Sequence, residues 1–347
     1  MRDIRSVAIV WDHIATTHAG AAETGDSEAA AVQAIEGVID EVSRVARNMG
    51  ANVEHVPLSH DPTEMLGRVS SLRADVVVNL AESWAGRARY EPAIAWMFEL
   101  LRVPYTGASP RSLALCLEKP LTRALLASCA VPVPEGWVVA SEDARCDPRL
   151  FENHVSWIVK PAAQDASHGI DATSVVGTEC AMRDRVKYLL RRGLGPALIE
   201  RYIEGREFNV SIVEMDGLAA RVLPVAEIDF THFPTGIPQI LTFAAKWDEV
   251  SEEYRGSKSI LASELDDALR SEIERVALAA WHALELRDYA RVDMRVDRRG
   301  RPFVIDVNPN PDLSRGAGLS LAAERAGMTY EQMVTGILRN AALRTTS

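Results

Sequence analysis

The pattern of apolar and polar positions is most regular near the C-terminus, where two short runs follow each other. In the first run, residues 291–297, apolar and charged side chains alternate, and the second run covers residues 303–307. A polar stretch containing a glycine separates them. This pattern predicts two antiparallel strands joined as a β-hairpin.

The two acids of this hairpin become neighbours if its loop has the right length. A four-residue loop, residues 298–301, places Asp293 opposite Asp306, with Asn308 two residues further along on the same face, whereas a three-residue loop would break this register. Two carboxylates about 5 Å apart repel each other unless a positive charge lies between them. Mg²⁺ would supply that charge and would take its remaining ligands from water and substrate phosphates. The alternative is a solvated hairpin whose acids pair with Arg291 and Arg295.

The N-terminal part of the chain alternates strands with helices. Strands are predicted at residues 6–11, 52–58 and 75–80, with an amphipathic helix at residues 27–49 and a short helix that begins at Asp61. This order implies a parallel sheet with crossover helices, and therefore a small doubly wound domain to about residue 115. Because no GxGxxG follows the first strand, a dinucleotide fold of the NAD type is disfavoured.

The rest of the chain mixes short strands with isolated helices, which is typical of α+β domains. One helix is predicted at residues 179–192, and a second at residues 263–284 with a capping box of Ser263 and Asp266. Further strands are predicted at residues 157–161, from Ala197, at residues 208–213 and at residues 220–228.

Composition narrows the class of protein. The chain has 347 residues, of which 47% are hydrophobic and 25% charged, so it has the material for two or three globular domains. Its formal net charge of −11 argues against a nucleic-acid or anionic-membrane partner. The four cysteines have no CxxC spacing, and the N-terminal apolar run is too short for a signal peptide or a membrane span. We therefore expect a cytoplasmic protein with reduced cysteines.

Lysine is scarce, since only five of the 38 basic residues are Lys. Lys119 begins a helix, where it opposes the helix dipole and suits an anion. Lys160 ends a strand before a loop of small residues, an arrangement that binds phosphate although it is not a Walker A motif. Lys246 lies in a polar loop rich in aromatic residues. For each of them the alternative is a solvated lysine.

Two acidic segments are further candidates. Glu82 follows the predicted strand 75–80, at the sheet edge where doubly wound domains bind ligands. Glu200 and Glu207 bracket a strand that runs directly into a turn. The scattered histidines form no HExxH or His/Cys cluster, and GxSxG is absent, so a zinc site and nucleophilic hydrolase chemistry have no support.

Taken together, these landmarks resemble a known superfamily. The chain carries NLAE at residues 79–82, PYTG at residues 104–107, the three lysines, the Glu200 to Glu207 segment, and R-x-D followed by D-x-N-P. Along the chain, Lys119 and Lys160 precede the Glu200 to Glu207 segment and Lys246 follows it. These landmarks resemble the ATP-grasp superfamily, and most closely the D-alanine:D-alanine ligase family.

The resemblance implies an ATP-grasp fold of mixed α/β and α+β class. It consists of an N-terminal doubly wound parallel domain followed by two α+β subdomains that enclose ATP. The implied segments are the N-terminal domain at residues 1–115, a central lid subdomain at residues 116–205, and a C-terminal subdomain with the metal-binding hairpin at residues 206–347.

The resemblance also implies a role for each candidate residue. ATP and two Mg²⁺ ions are the implied cofactors, with Mn²⁺ as a substitute. Arg291 would stabilise the oxyanion of a tetrahedral intermediate, and Lys246 would reach the γ-phosphate. The implied ATP contacts are Lys119 and Lys160 to phosphates, Ser167 in the small-residue loop, Glu200 to the adenine amino group, Ile203 to the adenine edge, and Glu207 to the ribose; the implied metal ligands are Asp293, Asp306 and Asn308; the implied substrate contacts are Glu82, Asp312, Gly318 and Leu319.

Several departures from the family pattern concern the substrate. Relatives usually carry Glu where this chain has Asp306, and commonly Gly where it has Asp312. In the loop AAQDASHG, Ala166 lacks a hydroxyl that the D-alanine ligases use, while Ser167 retains one. The GGxSxE and HGxxGEDG phrases are missing. In the family the two missing phrases grip the two D-alanines, whereas the residues that bind ATP and Mg²⁺ are present here, with Asp306 one methylene shorter than the usual Glu.

The resemblance therefore implies a carboxylate–amine ligase acting on a different amino acid or peptide-like substrate, as a homodimer without nucleic-acid or membrane partners. The alternatives are D-alanine:D-alanine ligase itself and a nucleotide-binding protein without ligase activity.

Overall fold

A computed structural model describes residues 3–12, 25–143, 147–164, 167–262 and 265–344. The chain between Asp12 and the first helix, Ala166 in the small-residue loop, Cys146, and Ser263 of the predicted capping box lie outside the described residues.

The N-terminal region forms the predicted parallel sheet. Its strand order is β2-β1-β3, with the second and third strands on opposite sides of the first. Two helices begin as the sequence predicts: Asp61 caps one by accepting hydrogen bonds from the N–H groups of Thr63 and Glu64, and Ser109 caps another. The elements are β1 Ser6–Trp11, α1 Gly25–Asn48, β2 Asn52–Pro57, α2 Pro62–Ser71, β3 Val76–Asn79, α3 Glu91–Leu100 and α4 Pro110–Leu117.

The central region is a four-stranded antiparallel sheet with one long covering helix. The strand order is β4-β7-β5-β6. Its elements are α5 Lys119–Ser128, β4 Gly136–Val139, β5 Trp157–Pro161, β6 Val175–Val176, α6 Glu179–Arg191 and β7 Ala197–Arg201. An apolar core between α6 and the sheet includes Trp157, Val159 and Leu189.

The C-terminal region is built on a six-stranded sheet of order β11-β10-β8-β12-β13, with β9 paired to β8. Its strands are β8 Gly205–Val213, β9 Arg221–Val222, β10 Ala226–Asp229, β11 Lys258–Leu261, β12 Tyr289–Asp297 and β13 Pro302–Asn308. Its helices are α7 Phe243–Trp247, α8 Glu252–Gly256, α9 Asp267–Ala283, α10 Gly318–Arg325 and α11 Tyr330–Leu343.

Some predicted elements differ from the structure: Lys246, predicted in a polar loop, lies on the short helix α7, and the strand predicted at residues 208–213 begins at Gly205. The strand predicted at residues 220–228 is two strands, β9 and β10, because Pro224 lies between them and has no N–H to donate to a ladder. The helix predicted from Ser263 begins as α9 at Asp267, where the Asp266 side chain accepts a hydrogen bond from the N–H of Leu269.

The last two helices pack far from their neighbours in sequence. Side chains of α10 and α11 share an apolar core with β1, β3 and α1, and Leu319, Met333 and Ile337 are among them. A second core lies between the six-stranded sheet and α9.

The division into segments 1–115, 116–205 and 206–347 stays a prediction. Within the described residues, no helix is long and apolar enough to cross a membrane.

Candidate functional site

The hairpin of β12 and β13 brings Asp293 opposite Asp306, as predicted. It reaches this register by a different route. Val296 pairs with Pro302, and the N–H of Asp297 donates to the carbonyl of Arg301, which is the pairing of a three-residue loop. A β-bulge then leaves Ile305 without a cross-strand partner and restores the pairing of the acids. The expectation that such a loop breaks the register was therefore wrong, because the bulge adds the missing residue.

Asp306 is neutralised by a lysine from the start of α5. The Nζ of Lys119 lies 2.9 Å from Oδ1 of Asp306. The Asp306 side chain is 31% exposed, whereas that of Lys119 is 10% exposed. Burial tends to raise the pKa of the Asp306 carboxyl, but Lys119 and Lys160 outweigh it and lower this pKa to about 2. Asp306 is therefore an ionised oxygen donor that solvent can reach.

Lys160, at the end of β5, connects the central sheet to the bulge. Its Nζ lies 2.6 Å from Oε2 of Glu200 and donates to the carbonyl of Ile305, the bulged residue, at 3.1 Å. Arg123 approaches the other carboxylate oxygen of Glu200 at 3.4 Å. The bulge thus has a second consequence, because it presents a backbone acceptor to a predicted phosphate-binding lysine.

Asp293 is held by Arg291 on its own strand. The Nε and Nη2 of Arg291 donate to the two carboxylate oxygens at 2.7 and 2.9 Å. Asn209 on β8 donates to the same carboxylate at 2.8 Å, and Asn308 at 3.4 Å. The Asp293 side chain is only 11% exposed, so the alternative of a solvated hairpin is wrong for this acid although its predicted arginine partner is present. Asp293 raises the pKa of Arg291 although burial opposes it.

Lys246, on α7, completes the group of cations. Burial lowers the pKa of its ammonium, and the nearby charge of Arg291 lowers it further. Asp293 and Asp306 act in the opposite direction. Three of the five lysines therefore lie around the two acids of the hairpin.

At the other end of the site, Glu207 is buried against Arg295. The Nη1 of Arg295 donates to Oε2 of Glu207 at 2.8 Å, and burial raises the pKa of the Glu207 carboxyl despite this partner. Ile203 is also buried, and its carbonyl accepts from Nε of Arg295. Arg295 and Asn209 were not among the predicted site residues. Both could have been found from strand alternation, because Arg295 is two residues from Asp293 and Asn209 is two residues from Glu207.

Ser167 ties the small-residue loop to the segment that carries Lys246. Its hydroxyl donates to the carbonyl of Leu241 at 2.7 Å, and the N–H of Phe243 donates to the carbonyl of Ile170 at 3.0 Å. The His168 and Phe243 rings meet edge to face. The loop predicted to cover the phosphates is therefore bonded to α7.

The four predicted substrate residues lie in different settings. Glu82 is exposed in the loop after β3. Asp312 is also exposed and accepts hydrogen bonds from the N–H and hydroxyl of Ser314. Gly318 begins α10, and the Leu319 side chain is buried in the core beneath it, which leaves the Leu319 backbone for any ligand contact.

Residues that the sequence analysis did not single out meet near the carboxyl ends of the parallel strands. Asp12 follows β1 and accepts from the hydroxyl of Ser83 at 2.9 Å, while Nε2 of His60 lies 3.1 Å from its other oxygen. Asp12 is buried, and these contacts join the loops that follow all three strands of the sheet.

The fold and the site together define the class of protein. A parallel N-terminal domain, followed by two antiparallel sheets with lysines and acids between them, is the ATP-grasp architecture. Solved structures confirm the fold: D-alanine–D-alanine ligase from Bacillus anthracis complexed with ATP matches with a TM-score of 0.72 at 18% identity, covering 98% of this chain and 97% of that one. D-alanyl-alanine synthetase A from Vibrio cholerae matches with a TM-score of 0.71 at 16% identity, covering 98% and 99%.

Sequence comparison gives the family. The profile described as D-ala D-ala ligase C-terminus matches residues 125–339, so the chain belongs to the D-alanine–D-alanine ligase family. An uncharacterized protein of Sinorhizobium fredii, y4sG, is 32% identical over 277 residues, covering 80% of this chain and 76% of the other. D-alanine–D-alanine ligase of Aquifex aeolicus is 25% identical over 300 residues, covering 86% and 92%.

Proposed function

We propose that the protein is an ATP-dependent carboxylate–amine ligase that forms an amide bond through an acyl phosphate and releases ADP and phosphate. The observation that carries the proposal is the arrangement of Lys119, Lys160, Lys246 and Arg291 around Asp293 and Asp306. A group of four cations inside a protein of net charge −11 suits a multiply charged anion such as ATP.

The acids of the hairpin fit a divalent cation. Asp293 and Asp306 are cross-strand partners, and Asn308 follows on the same face, so three hard oxygen donors are available. Among the described residues, no three His, Cys, Asp or Glu side chains form a group that could hold a metal ion by themselves, so Mg²⁺ would take its remaining ligands from water and phosphate oxygens. Bound Mg²⁺ would neutralise charge on the transferring phosphoryl group.

The residues of this chain have defined tasks in the proposed reaction. Lys119 and Lys160 bind phosphate oxygens, and Lys246 neutralises the γ-phosphate, because phosphoryl transfer depends on positioning and charge. A substrate carboxylate oxygen attacks the γ-phosphorus, and the bond to ADP breaks. An amine then attacks the acyl carbon, phosphate leaves, and the amine nitrogen loses a proton. Arg291 stabilises the oxyanion formed in the second step.

The proposed substrate is an amino acid or a peptide-like molecule other than D-alanine. Asp312 places an exposed carboxylate in the loop between β13 and α10, which favours a substrate with a basic or amine-bearing group. The missing D-alanine phrases support the same conclusion. We further propose a homodimer, which light scattering of the purified protein would test.

The test is incubation with Mg-ATP and a panel of D- and L-amino acids and dipeptides, with ADP and phosphate measured and the product identified by mass spectrometry. Release that requires a substrate other than D-alanine supports the proposal. Release with D-alanine alone would assign the protein as D-alanine–D-alanine ligase. No release with any candidate, together with measurable ATP binding, would favour a nucleotide-binding protein.

A further inference from the structure

We infer that Arg295 is a positioning residue that presents Glu207 to the ribose of ATP and holds the adjoining hinge, residues 202–205. The inference rests on the proposed function, because it requires a nucleotide at this end of the site. The sequence motifs and the proposed chemistry assign Arg295 no role.

Arg295 is buried, with 3% exposure, and its guanidinium is surrounded by acceptors. Nη1 donates to Oε2 of Glu207 at 2.8 Å and to the carbonyl of Gln239 at 2.7 Å. Nε donates to the carbonyl of Ile203 at 2.7 Å, and Nη2 to that of Gly205 at 2.9 Å. A buried guanidinium with so many partners has a single orientation.

The partners of Arg295 belong to three separate parts of the site. Ile203 and Gly205 belong to the hinge, whose last residue, Gly205, is also the first residue of β8. Glu207 lies further along β8, and Gln239 lies in the segment that leads to Lys246. The guanidinium also lies over the Tyr202 ring, 5.0 Å from its centroid. One side chain therefore sets the positions of these parts relative to β12.

Glu207 depends on this contact for its orientation. Arg295 and Glu207 are cross-strand partners on β12 and β8 and lie on the same face as Asp293 and Asn209. Because Arg295 binds Oε2, the carboxylate is held in one orientation, in which Oε1 would receive the ligand hydroxyl. A buried carboxylate without such a cation would have to take up a proton or turn toward solvent.

The hinge itself is packed closely on β12. Gly205 has φ of +149°, and a Cβ at this position would overlap the carbonyl oxygen of Val296. Only glycine permits this approach. The hinge and the ribose-binding carboxylate are therefore both positioned by the same short stretch, residues 295–296.

A purely structural role for Arg295 makes a different prediction. If Arg295 only stabilises the fold, its removal lowers the melting temperature and weakens all nucleotides equally. If it presents Glu207, its removal also reduces the preference of the site for a ribose that carries both hydroxyls.

The experiment compares the Kd values of ATP, 2′-deoxy-ATP and 3′-deoxy-ATP by calorimetry in the presence of Mg²⁺. We expect the wild-type protein to bind ATP about tenfold more tightly than at least one deoxy analogue, the usual effect of one hydrogen bond to a charged group. Arg295→Met should reduce this ratio to below about threefold, and Arg295→Lys should give an intermediate ratio. Arg206→Met is the control, because Arg206 also pairs with a neighbouring-strand carboxylate, that of Glu227 on β10, and its ratio should stay at the wild-type value.

The outcomes separate the two proposals. Wild-type protein that does not bind ATP would overturn the proposed function. Wild-type protein with a hydroxyl preference that Arg295→Met retains would overturn the role of Arg295 alone. If Arg295→Met does not fold, Arg295→Lys and Glu207→Gln are used instead. A ratio of deoxy-analogue Kd to ATP Kd that equals the wild-type ratio in both variants would overturn the inference. A smaller ratio in both variants would support it.

Discussion

The candidate site has two ends, which we call the metal end, around Asp306 and Lys119, and the hinge end, around Glu207 and Arg295. The charged pairs at the two ends differ in their exposure to solvent. At the metal end, Asp306 meets Lys119 with 31% of the carboxylate side chain exposed. At the hinge end, Glu207 meets Arg295 with both side chains at most 6% exposed. The donor–acceptor distances are nearly the same, 2.9 and 2.8 Å. Exposure, not distance, distinguishes the two pairs.

This difference indicates what each end does. In the proposed reaction the more exposed pair would exchange partners: Lys119 would bind a phosphate, and Asp306 would bind a metal ion. A buried pair loses much more on separation, because each charge would remain without water or partner. We therefore expect the metal end to rearrange on ligand binding and the hinge end to keep its contacts.

The largest expected effect is on catalysis, from Asp306→Asn. This change removes one of the two carboxylates that would hold the metal, and we expect Mg-dependent ADP release to slow by about 10²-fold. The melting temperature without ligands should fall only modestly, because the asparagine oxygen still accepts a hydrogen bond from Lys119 although the charge of the pair is lost. A destabilised variant with full activity would show instead that Asp306 is only a structural partner of Lys119.

The acid stability of the protein should also depend on Asp306. Its pKa is lowered to about 2 from the ordinary value of 3.8, so its contribution to stability is present above pH 4 and is lost as the pH falls toward 2. The contribution is on the order of 2 kcal/mol at most. The free energy of unfolding in urea should differ less between pH 5 and pH 2.5 for Asp306→Asn than for the wild-type protein. Equal differences would mean that the Lys119 pair contributes nothing.

The contribution of Glu207 to stability should change with pH in the opposite direction. Burial raises its folded pKa, so the stability it contributes is present at low pH and is lost as the pH rises through that value. Replacement by Gln should therefore make unfolding stability less dependent on pH just above the ordinary pKa of a glutamate, as urea titrations across that range would show. A variant whose pH profile matches wild type would contradict the raised pKa.

An effect on the order of tenfold is expected from Lys119→Met on metal binding without nucleotide. Removing the lysine leaves Asp306 without its ion-pair partner. Mn²⁺ should therefore bind more tightly to the variant than to the wild-type protein, as measured by electron paramagnetic resonance. ATP binding should weaken in the same variant. Lys187→Met is the control, because Lys187 lies on α6, the helix that covers the central sheet, and it should leave the Mn²⁺ affinity unchanged. Weaker Mn²⁺ binding in Lys119→Met would contradict the exchange of partners.

The smallest effect is expected at the hairpin turn. Arg298 lies 3.0 Å from Glu204, but the two side chains are 82% and 56% exposed. Arg298→Gln should change the free energy of unfolding by less than about 0.5 kcal/mol and leave ADP release unaltered. A larger loss would indicate that the turn contributes to the hinge.

Several local elements and the candidate residues of the site could be predicted from the amino-acid pattern alone. Strand β1 and strand β5 begin and end at the predicted residues, because apolar runs of that length between polar segments favour strands. The scarcity of lysine and the spacing of the acids in the hairpin identified Lys119, Lys160, Lys246, Asp293 and Asp306 as candidates.

The pairing of these residues, in contrast, depends on contacts between segments that are distant along the chain. Lys119 and Asp306 are 187 residues apart, and Arg295 and Ile203 are 92 apart, so no local pattern connects them. The bulge at Ile305, which sets the register of the acids and supplies an acceptor to Lys160, has no signal in the alternation of the strand. The packing of α10 and α11 on β1 likewise depends on which apolar faces meet. Periodicity specifies which face of an element is buried, but the order of strands and the contacts between distant segments specify which charges become partners.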